Sequence, residues 1–197
     1  MTNQTTQIPK ITSFKDIQNR LIAVDTEYQV LQNAPALSRI ERETTIHKVW
    51  CASFSHNEKA FSIWTGNDDS MPDILDRAAK HFDVPNPIFV NYAYFAEWEA
   101  FSRLGVDMFA YDWVDVHLLY RILSNSYTDK VETTLVSMCK DILGVSIDSA
   151  HKDAMRELCI SGNVEGNEAQ IMNYCEEDTR HLIPALFNLE DRLNRRL

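Results

Sequence analysis

The segment LIAVDTEY, residues 21–28, places two acidic side chains inside an otherwise apolar strand pattern. Successive side chains of a β-strand point to opposite faces, so Asp25 and Glu27 share the face of Leu21. Two neighbouring carboxylates repel each other and resist burial unless a cation compensates their charge. The pattern therefore predicts a divalent-cation site near the carboxyl end of this strand, where α/β sheets tend to bind ligands. The alternative is a strand that ends before the acids and leaves both of them in water.

A second inward-facing acid is predicted in the last helical segment. Asp178 fills a gap in an apolar stripe and lies one turn after Tyr174, so a phenol and a carboxylate point towards the core together. The alternative is a buried aspartate that is satisfied by a helix N-terminus. The stripe consists of Ile171, Tyr174, Cys175, Leu182, Leu186, Leu189 and Leu193.

The pair in the first strand and Asp178 come from two segments of the chain, and two residues compete to be the acid from a third segment, called the third acid below. Glu97 is followed by Phe101 and Leu104 at helical spacing, which predicts that its side chain faces inward. Asp115 opens the next predicted helix, and an aspartate in that position is typically an N-cap. The sequence leaves the choice between Glu97 and Asp115 open.

The order of the predicted elements indicates an α/β domain with a mixed sheet. A turn near Asn57 and Glu58 predicts that the second and third strands form an antiparallel hairpin. A short helix capped by Ser13, with Asp16 three residues later, precedes the first strand. The last helical segment runs from about residue 168 to the end, and Pro184 is expected to kink it. The predicted strands are LIAVDTEY, HKVWCASFS, KAFSIWTG and PIFVNYA, with YDWV as a short edge strand.

Composition narrows the class of protein. The 197 residues are expected to form a single domain, 1–197, in which residues 1–10 are a flexible segment without the features of a signal peptide. A net charge of −10 argues against a broad basic surface that grips duplex nucleic acid, although bound cations reverse the sign locally. No stretch has the roughly 20 apolar residues of a membrane span. The four cysteines match no zinc spacing, so reduced thiols in a cytoplasmic protein are expected.

The order of the acids resembles that of the DEDD 3′–5′ exonucleases, in their tyrosine-containing branch. The D-x-E of residues 25–27, the segment NYAYFAEWEAFSRLG and the segment IMNYCEEDTRHL resemble the three exonuclease motifs in order. These motifs, with WVDVHLLYRILSN and KDAMRELCISGN between them, are similar to the proofreading exonuclease domain of phage and bacterial family A DNA polymerases. The likeness extends over residues 21–186. It implies a ribonuclease H-like fold, in which helices flank a five-stranded mixed sheet.

The resemblance also implies a metal site and roles for its residues. Two divalent ions, Mg²⁺ or Mn²⁺, are expected, with Asp25 in contact with both and Tyr174 orienting the attacking water. The family usually has an aspartate in the second motif, so Glu97 departs from the pattern and leaves the geometry of the second ion open. The implied ligands are Asp25, Glu27, Glu97 and Asp178.

Four further residues are candidates for substrate contact: Thr26, Tyr94, Lys152 and Arg156. Lys152 and Arg156 lie four apart on one predicted helix and are able to meet phosphates together. The alternative is that both are solvated. Tyr94 is able to stack on a terminal base, and core packing is its alternative.

The function that the resemblance implies is removal of nucleoside 5′-monophosphates from the 3′ end of single-stranded or frayed DNA. The expected partners are such DNA ends and a separate polymerase subunit, for which the protein would proofread in trans. The expected location is the cytoplasm, that of a host if a phage encodes the protein. Two alternatives remain: trimming of RNA 3′ ends, and a non-catalytic module that docks nucleic acid or a polymerase.

Overall fold

The computed structural model describes residues 13–30, 46–68, 70–124 and 132–195. In this part of the chain, five strands form one sheet in the order β3-β2-β1-β4-β5. β1 lies at the centre, antiparallel to β2 and parallel to β4, so the predicted mixed sheet is confirmed. The strands are β1 (Leu21–Val30), β2 (Ile46–His56), β3 (Lys59–Trp64), β4 (Ile88–Asn91) and β5 (Asp112–Asp115).

Helices cover both faces of the sheet. In chain order they are α1 (Ile74–Phe82), α2 (Tyr94–Arg103), α3 (Val116–Ser124), α4 (Leu135–Met138), α5 (Ser149–Ser161), α6 (Glu168–Arg180) and α7 (Leu182–Asn194). Two 3₁₀ helices (Phe14–Arg20 and Met108–Ala110) and a π turn (Cys139–Leu143) complete the described structure. None of the described helices is long and apolar enough to span a bilayer.

The hairpin between β2 and β3 has the turn that the sequence predicts. Asn57 and Glu58 form it with φ angles of 47° and 65°. Positive φ at both central turn residues matches the right-handed twist of the strands on either side. The two strands pair in register from His56 and Lys59 outwards.

The alternation of β1 divides the core into two layers. Ile22 and Val24 pack against α1 and α2 on one face of the sheet. Leu21 and Ala23 pack against α3 and α7 on the other. Because the alternation continues along the strand, the side chains after residue 24 on this second face are those of Asp25 and Glu27.

The end of the chain differs from the expectation of one kinked helix. α6 ends at Arg180 and α7 begins at Leu182, so the break lies at His181 rather than at Pro184. The proline ring clashes with the carbonyl four residues earlier, which is that of Arg180, and the first helix therefore has to stop there. Pro184 itself lies in the first turn of α7, where its missing N–H is tolerated.

The predicted capping of the first short helix is confirmed. Ser13 Oγ accepts a hydrogen bond from the amide of Lys15 at 3.1 Å, and Asp16 Oδ2 accepts one from the amide of Ser13 at 3.0 Å. Ser13 Oγ also donates to Glu190 of α7 at 2.8 Å, which anchors this helix to the last one. The expected flexible segment, residues 1–10, lies outside the described residues.

Candidate active site

The carboxyl ends of the parallel strands bring several polar residues to one edge of the sheet. β1 pairs with β4 only from Leu21 to Ala23, so Asp25 and Glu27 extend past that pairing. β4 ends at Asn91 and β5 ends at Asp115, which are register partners. Polar side chains from three strands therefore meet where open α/β sheets bind their ligands.

Asp25 and Glu27 lie in surroundings that disfavour two negative charges. Burial, followed by the charge of Asp178, raises the pKa of Asp25 from 3.8 to about 7. Burial, followed by the charge of Asp25, raises the pKa of Glu27 well above its usual value. Both shifts arise because a carboxylate loses hydration and faces a like charge. The two acids are therefore close together, partly shielded from water and in need of positive charge.

Helix α6 adds Tyr174 and Asp178 to this group. Ile171 and Cys175, which are fully buried, anchor the helix to the sheet through a small apolar cluster. Only 8% of the surface of the Asp178 side chain is exposed to solvent. The charge of Asp178 acts on both Asp25 and Glu27, so the acids of the first and last motifs share one site.

Lys152 of α5 points into the same site. Its ammonium group forms an ion pair with Asp178, and Nζ lies 5.0 Å from the centre of the Tyr174 ring. Burial by itself would lower the pKa of Lys152, but the charges of Asp178, Asp25 and Glu27 raise it above its usual value. Lys152 is therefore charged at neutral pH, and it supplies one positive charge to the group of acids.

Tyr174 is buried, with 6% of its surface exposed. Burial, followed by the charge of Glu27, raises the pKa of its phenol far above the usual value of 10. The hydroxyl group therefore stays protonated at neutral pH. A neutral phenol is able to donate or accept a hydrogen bond here but is unable to act as a general base.

Glu97 of α2 faces inward, as the helical spacing predicts. It is 2% exposed, and its Oε2 accepts a hydrogen bond from Asn91 Nδ2 at 3.2 Å. Burial, followed by the charge of Asp25, raises the pKa of Glu97 well above its usual value. Glu97 therefore faces the acids of β1 from the opposite layer of helices.

Asp115, the competing third acid, is occupied by backbone amides. Its two oxygen atoms accept hydrogen bonds from Ala93 and Tyr94 at 3.3 and 3.1 Å, and Oδ1 also accepts one from Leu118 at 3.1 Å. The last contact is the N-cap interaction of α3 that the sequence suggests. This arrangement favours Glu97 over Asp115 as the acid that is free to bind a cation.

The remaining candidates for substrate contact lie in different surroundings. Thr26 is buried on the face of β1 opposite to Asp25. Tyr94 is half-buried and packs edge-on against Trp98 and Trp113, with ring centres 5.5 Å away in each case. Arg156 is exposed on α5, one turn after Lys152. Of these residues, Arg156 is the one whose side chain is open to solvent, and all of these substrate contacts stay predictions.

A cavity of about 360 Å³ opens beside Asp178. It lies next to the acids, and basic and imidazole groups line it together with the carboxylates of Asp148 and Glu177. Its walls include His151, Lys152, Tyr174, Asp178, Arg180 and His181. The ring of His151 meets that of Tyr174 edge-on, with centres 6.2 Å apart.

Sequence reasoning missed two groups at the site. The Cys175 thiol donates to the backbone oxygen of Asp25 at 3.3 Å and lies 3.6 Å from its Oδ2. Asn91 orients Glu97 from the end of β4. Cys175 follows Tyr174 directly and Asn91 lies within the predicted strand PIFVNYA, so position along the chain was the available signal for both.

The donors of this site are mainly carboxylate oxygen atoms, which is the chemistry that Mg²⁺ and Mn²⁺ prefer. The single charge of Lys152 leaves several acids without a counter-charge, so the residues fit divalent ions.

Comparison with known proteins supports the fold. No protein-family model matches the chain, and no curated protein matches it. Solved structures do match it. Trypanosoma brucei RNase D in complex with GMP has a TM-score of 0.59 and 16% identity over 86% of this chain and 52% of its own. The catalytic core of Trypanosoma brucei RRP6 has a TM-score of 0.54 and 15% identity over 95% of this chain and 46% of its own.

The chain therefore spans about half the length of these two structures. At such low identity the likeness shows a shared fold. It confirms the α/β, ribonuclease H-like architecture with a five-stranded mixed sheet that the sequence predicts.

Proposed function

We propose that this protein is a divalent-metal-dependent 3′–5′ exonuclease that removes nucleotides from the end of a single-stranded nucleic acid. The observation that carries the proposal is the meeting of Asp25 and Glu27 from β1, Glu97 from α2, and Tyr174 with Asp178 from α6. Their mutual electrostatic effects connect acids that are more than 150 positions apart in the chain. Their order along the chain is the one that the resemblance to DEDD exonucleases implies.

The four acids are the residues that would hold the metal ions. A pair of Mg²⁺ or Mn²⁺ ions, when bound, supplies a more acidic water and stabilises the leaving 3′-oxygen of a phosphodiester. Asn91 fixes the carboxylate of Glu97, and the backbone contacts of Asp115 leave that residue in a structural role. Glu97 is therefore proposed as the third acid in place of Asp115.

Tyr174 would position the attacking water. Its raised pKa keeps the phenol neutral, so it acts through a hydrogen bond and not by taking a proton. Lys152 holds Asp178 through an ion pair and lies against the Tyr174 ring. These contacts make Lys152 a positioning residue in the metal-free protein, and the exposed Arg156 is the better candidate for contact with a substrate phosphate.

Two observations bear on whether the substrate is DNA or RNA, and they favour different answers. The sequence motifs resemble the proofreading domains of DNA polymerases, which favours DNA 3′ ends and a separate polymerase as partner. The first of the matching structures is a ribonuclease by name, and neither is a polymerase by name, which favours RNA 3′-end trimming. Because the likeness in three dimensions covers most of the chain, RNA is proposed as the preferred substrate and DNA as the second candidate.

The test uses matched DNA and RNA oligonucleotides, labelled at either the 5′ or the 3′ end, with Mg²⁺, Mn²⁺ or a chelator. Successive shortening from the 3′ end, dependent on metal, is expected. Asp25→Asn and Asp178→Asn are each expected to lower the rate at least about 100-fold, because each removes a metal ligand. Asp153→Asn, an exposed change on α5, is the matched control and should cleave at the wild-type rate.

Two outcomes would contradict the proposal. Wild-type rates in both site variants would exclude a catalytic role for the acids. Metal-dependent binding of an oligonucleotide without any shortening would favour the non-catalytic docking module instead. A faster reaction on DNA than on RNA, at equal sequence, would make DNA the substrate.

A further inference from the structure

The site contains sulfur donors as well as oxygen donors. Cys175 is fully buried, and its Sγ lies 3.6 Å from Asp25 Oδ2. One ligand atom from each of Asp25, Glu27 and Cys175 lies within 4.8 Å of the other two. Mg²⁺ and Mn²⁺ prefer oxygen donors, so the pair of ions proposed above makes no use of this thiol.

The spacing suits a different kind of ion. A tetrahedral Zn²⁺ ion has Zn–S and Zn–O distances of about 2.3 and 2.0 Å, which hold sulfur and oxygen ligands about 3.5 Å apart. The 3.6 Å between Cys175 Sγ and Asp25 Oδ2 is close to that value. A thiophilic ion therefore fits between these two atoms without a large movement of either strand or helix.

Two further thiols lie on the same side of the sheet. Cys159 of α5 lies near Glu27, since burial, followed by the charge of Glu27, raises the pKa of its thiol. Cys51 of β2 is the cross-strand partner of Glu27, so the two side chains share one face. Cys51, Cys159 and Cys175 belong to a single buried cluster. Soft donors therefore border both acids of β1.

We propose that Zn²⁺, or its thiophilic analogue Cd²⁺, binds at Asp25, Glu27 and Cys175 and thereby excludes the ions that support catalysis. On binding, the Cys175 S–H bond breaks and a sulfur–metal bond forms; the thiol proton and any proton held by Asp25 or Glu27 pass to solvent, with no change in oxidation state. Binding itself is independent of the nuclease activity. The inhibitory consequence rests on the proposed function, because it arises from competition for the same two carboxylates.

The binding test uses the full chain, freed of metal with a chelator and then titrated with Cd²⁺. A thiolate-to-cadmium charge-transfer band in the ultraviolet is expected to rise and reach saturation near one equivalent. Cys175→Ala is expected to lose most of this band. Cys139→Ala is the matched control, since Cys139 is equally buried but lies in the separate core cluster under α3 and α7. It should retain the band.

A second measurement on the wild-type protein does not depend on any variant folding. X-ray absorption at the zinc edge of the one-equivalent complex is expected to show a sulfur shell at about 2.3 Å. A shell of oxygen and nitrogen alone would overturn the proposal. An undiminished cadmium band in Cys175→Ala would overturn it as well.

The inhibition test separates this proposal from the nuclease assignment. Added Zn²⁺ is expected to inhibit the Mg²⁺-supported reaction, and Cys175→Ala should need at least about 10-fold more Zn²⁺ for half inhibition relative to its own uninhibited rate. If the cadmium band and the sulfur shell are present but no nuclease activity is found, the metal site stands and the proposed function fails. If activity is found but no sulfur shell is present, the proposed function stands and the thiolate metal site fails.

Discussion

Asp25 links the protonation state of the site to the stability of the protein. Its pKa rises from 3.8 to about 7 on folding, chiefly through burial and then through the charge of Asp178. Between those two values the folded protein holds a proton that the unfolded chain has lost. The free energy of unfolding of the metal-free protein therefore falls as pH rises from about 4 to about 7.

We expect the metal-free protein to melt at a lower temperature at about pH 8 than at about pH 5.5, and Asp25→Asn to flatten this dependence. We expect Mn²⁺ to raise the melting temperature more at the higher pH, because the ion has to displace the proton from the carboxyl group. Thermal unfolding with and without Mn²⁺ measures both effects. An equal shift at the two pH values would show that Asp25 does not bind the ion.

Ala93 holds an unusual backbone conformation where the chain enters α2. Its φ of 68° lies in the left-handed region, which costs a residue with a Cβ atom about 1–2 kcal/mol. Ala93→Gly removes that cost but gives the unfolded chain more freedom. We therefore expect a net stabilisation of about 0.5–1 kcal/mol, seen as a higher midpoint in urea. Ala93→Val, with its branched side chain, is expected to lower the midpoint. A lower midpoint for the glycine variant would show that the backbone conformation of Ala93 is not strained.

At the scale of secondary-structure elements, Asp115 connects β5 to the starts of α2 and α3. Its carboxylate accepts three backbone hydrogen bonds from residues on these two helices and the turn before α2. We expect Asp115→Ala to destabilise the protein by about 2 kcal/mol, because α3 loses its N-cap and two partly buried amides lose their acceptor. Asp112→Ala in the same strand is the control. That residue is exposed and forms only a surface ion pair with Arg20, so a change within about 0.5 kcal/mol is expected.

A comparison of Asp115→Ala with Glu97→Gln separates a structural acid from a metal ligand. Asp115→Ala should lower the melting temperature and still respond to Mn²⁺, whereas Glu97→Gln should lose part of the response to Mn²⁺. Thermal unfolding over a range of Mn²⁺ concentrations measures this. A normal response in Glu97→Gln together with a lost response in Asp115→Ala would reverse the assignment of the third acid.

The sequence predicted the elements where a local pattern decides them. The alternation in β1, the turn at Asn57 and Glu58, and the apolar spacing after Glu97 all follow from geometry within a few residues. The break at His181 was missed because proline acts on the carbonyl four residues before it. The orientation of the Lys152 side chain towards the acids was also not predictable from the sequence, since it depends on how α5 packs against α6.

At the scale of the whole molecule, net charge limits how nucleic acid binds. The net charge of the protein is −10, and few cationic side chains lie near the cavity beside Asp178: Lys152 and Arg180 line it, and Arg156 lies one turn after Lys152 on α5. If these three contact phosphates, log Kobs for a single strand should fall with log salt concentration at a slope no steeper than about −2. Fluorescence anisotropy of the Asp25→Asn variant with a labelled oligonucleotide measures the slope. Arg156→Ala should reduce it by about 0.7, and a far steeper slope would indicate a larger basic surface.

The site also depends on contacts that no local pattern contains. Asp25 and Cys175 touch although 150 positions separate them. The motif order suggested which acids would meet, and their role as metal ligands stays a prediction. The thiols were not predicted to belong to the site, because their spacing along the chain matches no metal motif. The packing of α5 and α6 on the sheet brings them to the acids.

The alternation of β1 from Leu21 to Glu27 makes correct strand pairing a condition for chemistry as well as for stability. A slip of one residue would turn Thr26 towards the layer of α6 and send Asp25 and Glu27 into the apolar layer of α1 and α2. Such a molecule would lose both its core and its ion-binding centre in a single error. A population of this protein that retains its metal response is therefore a population whose central strand has paired correctly.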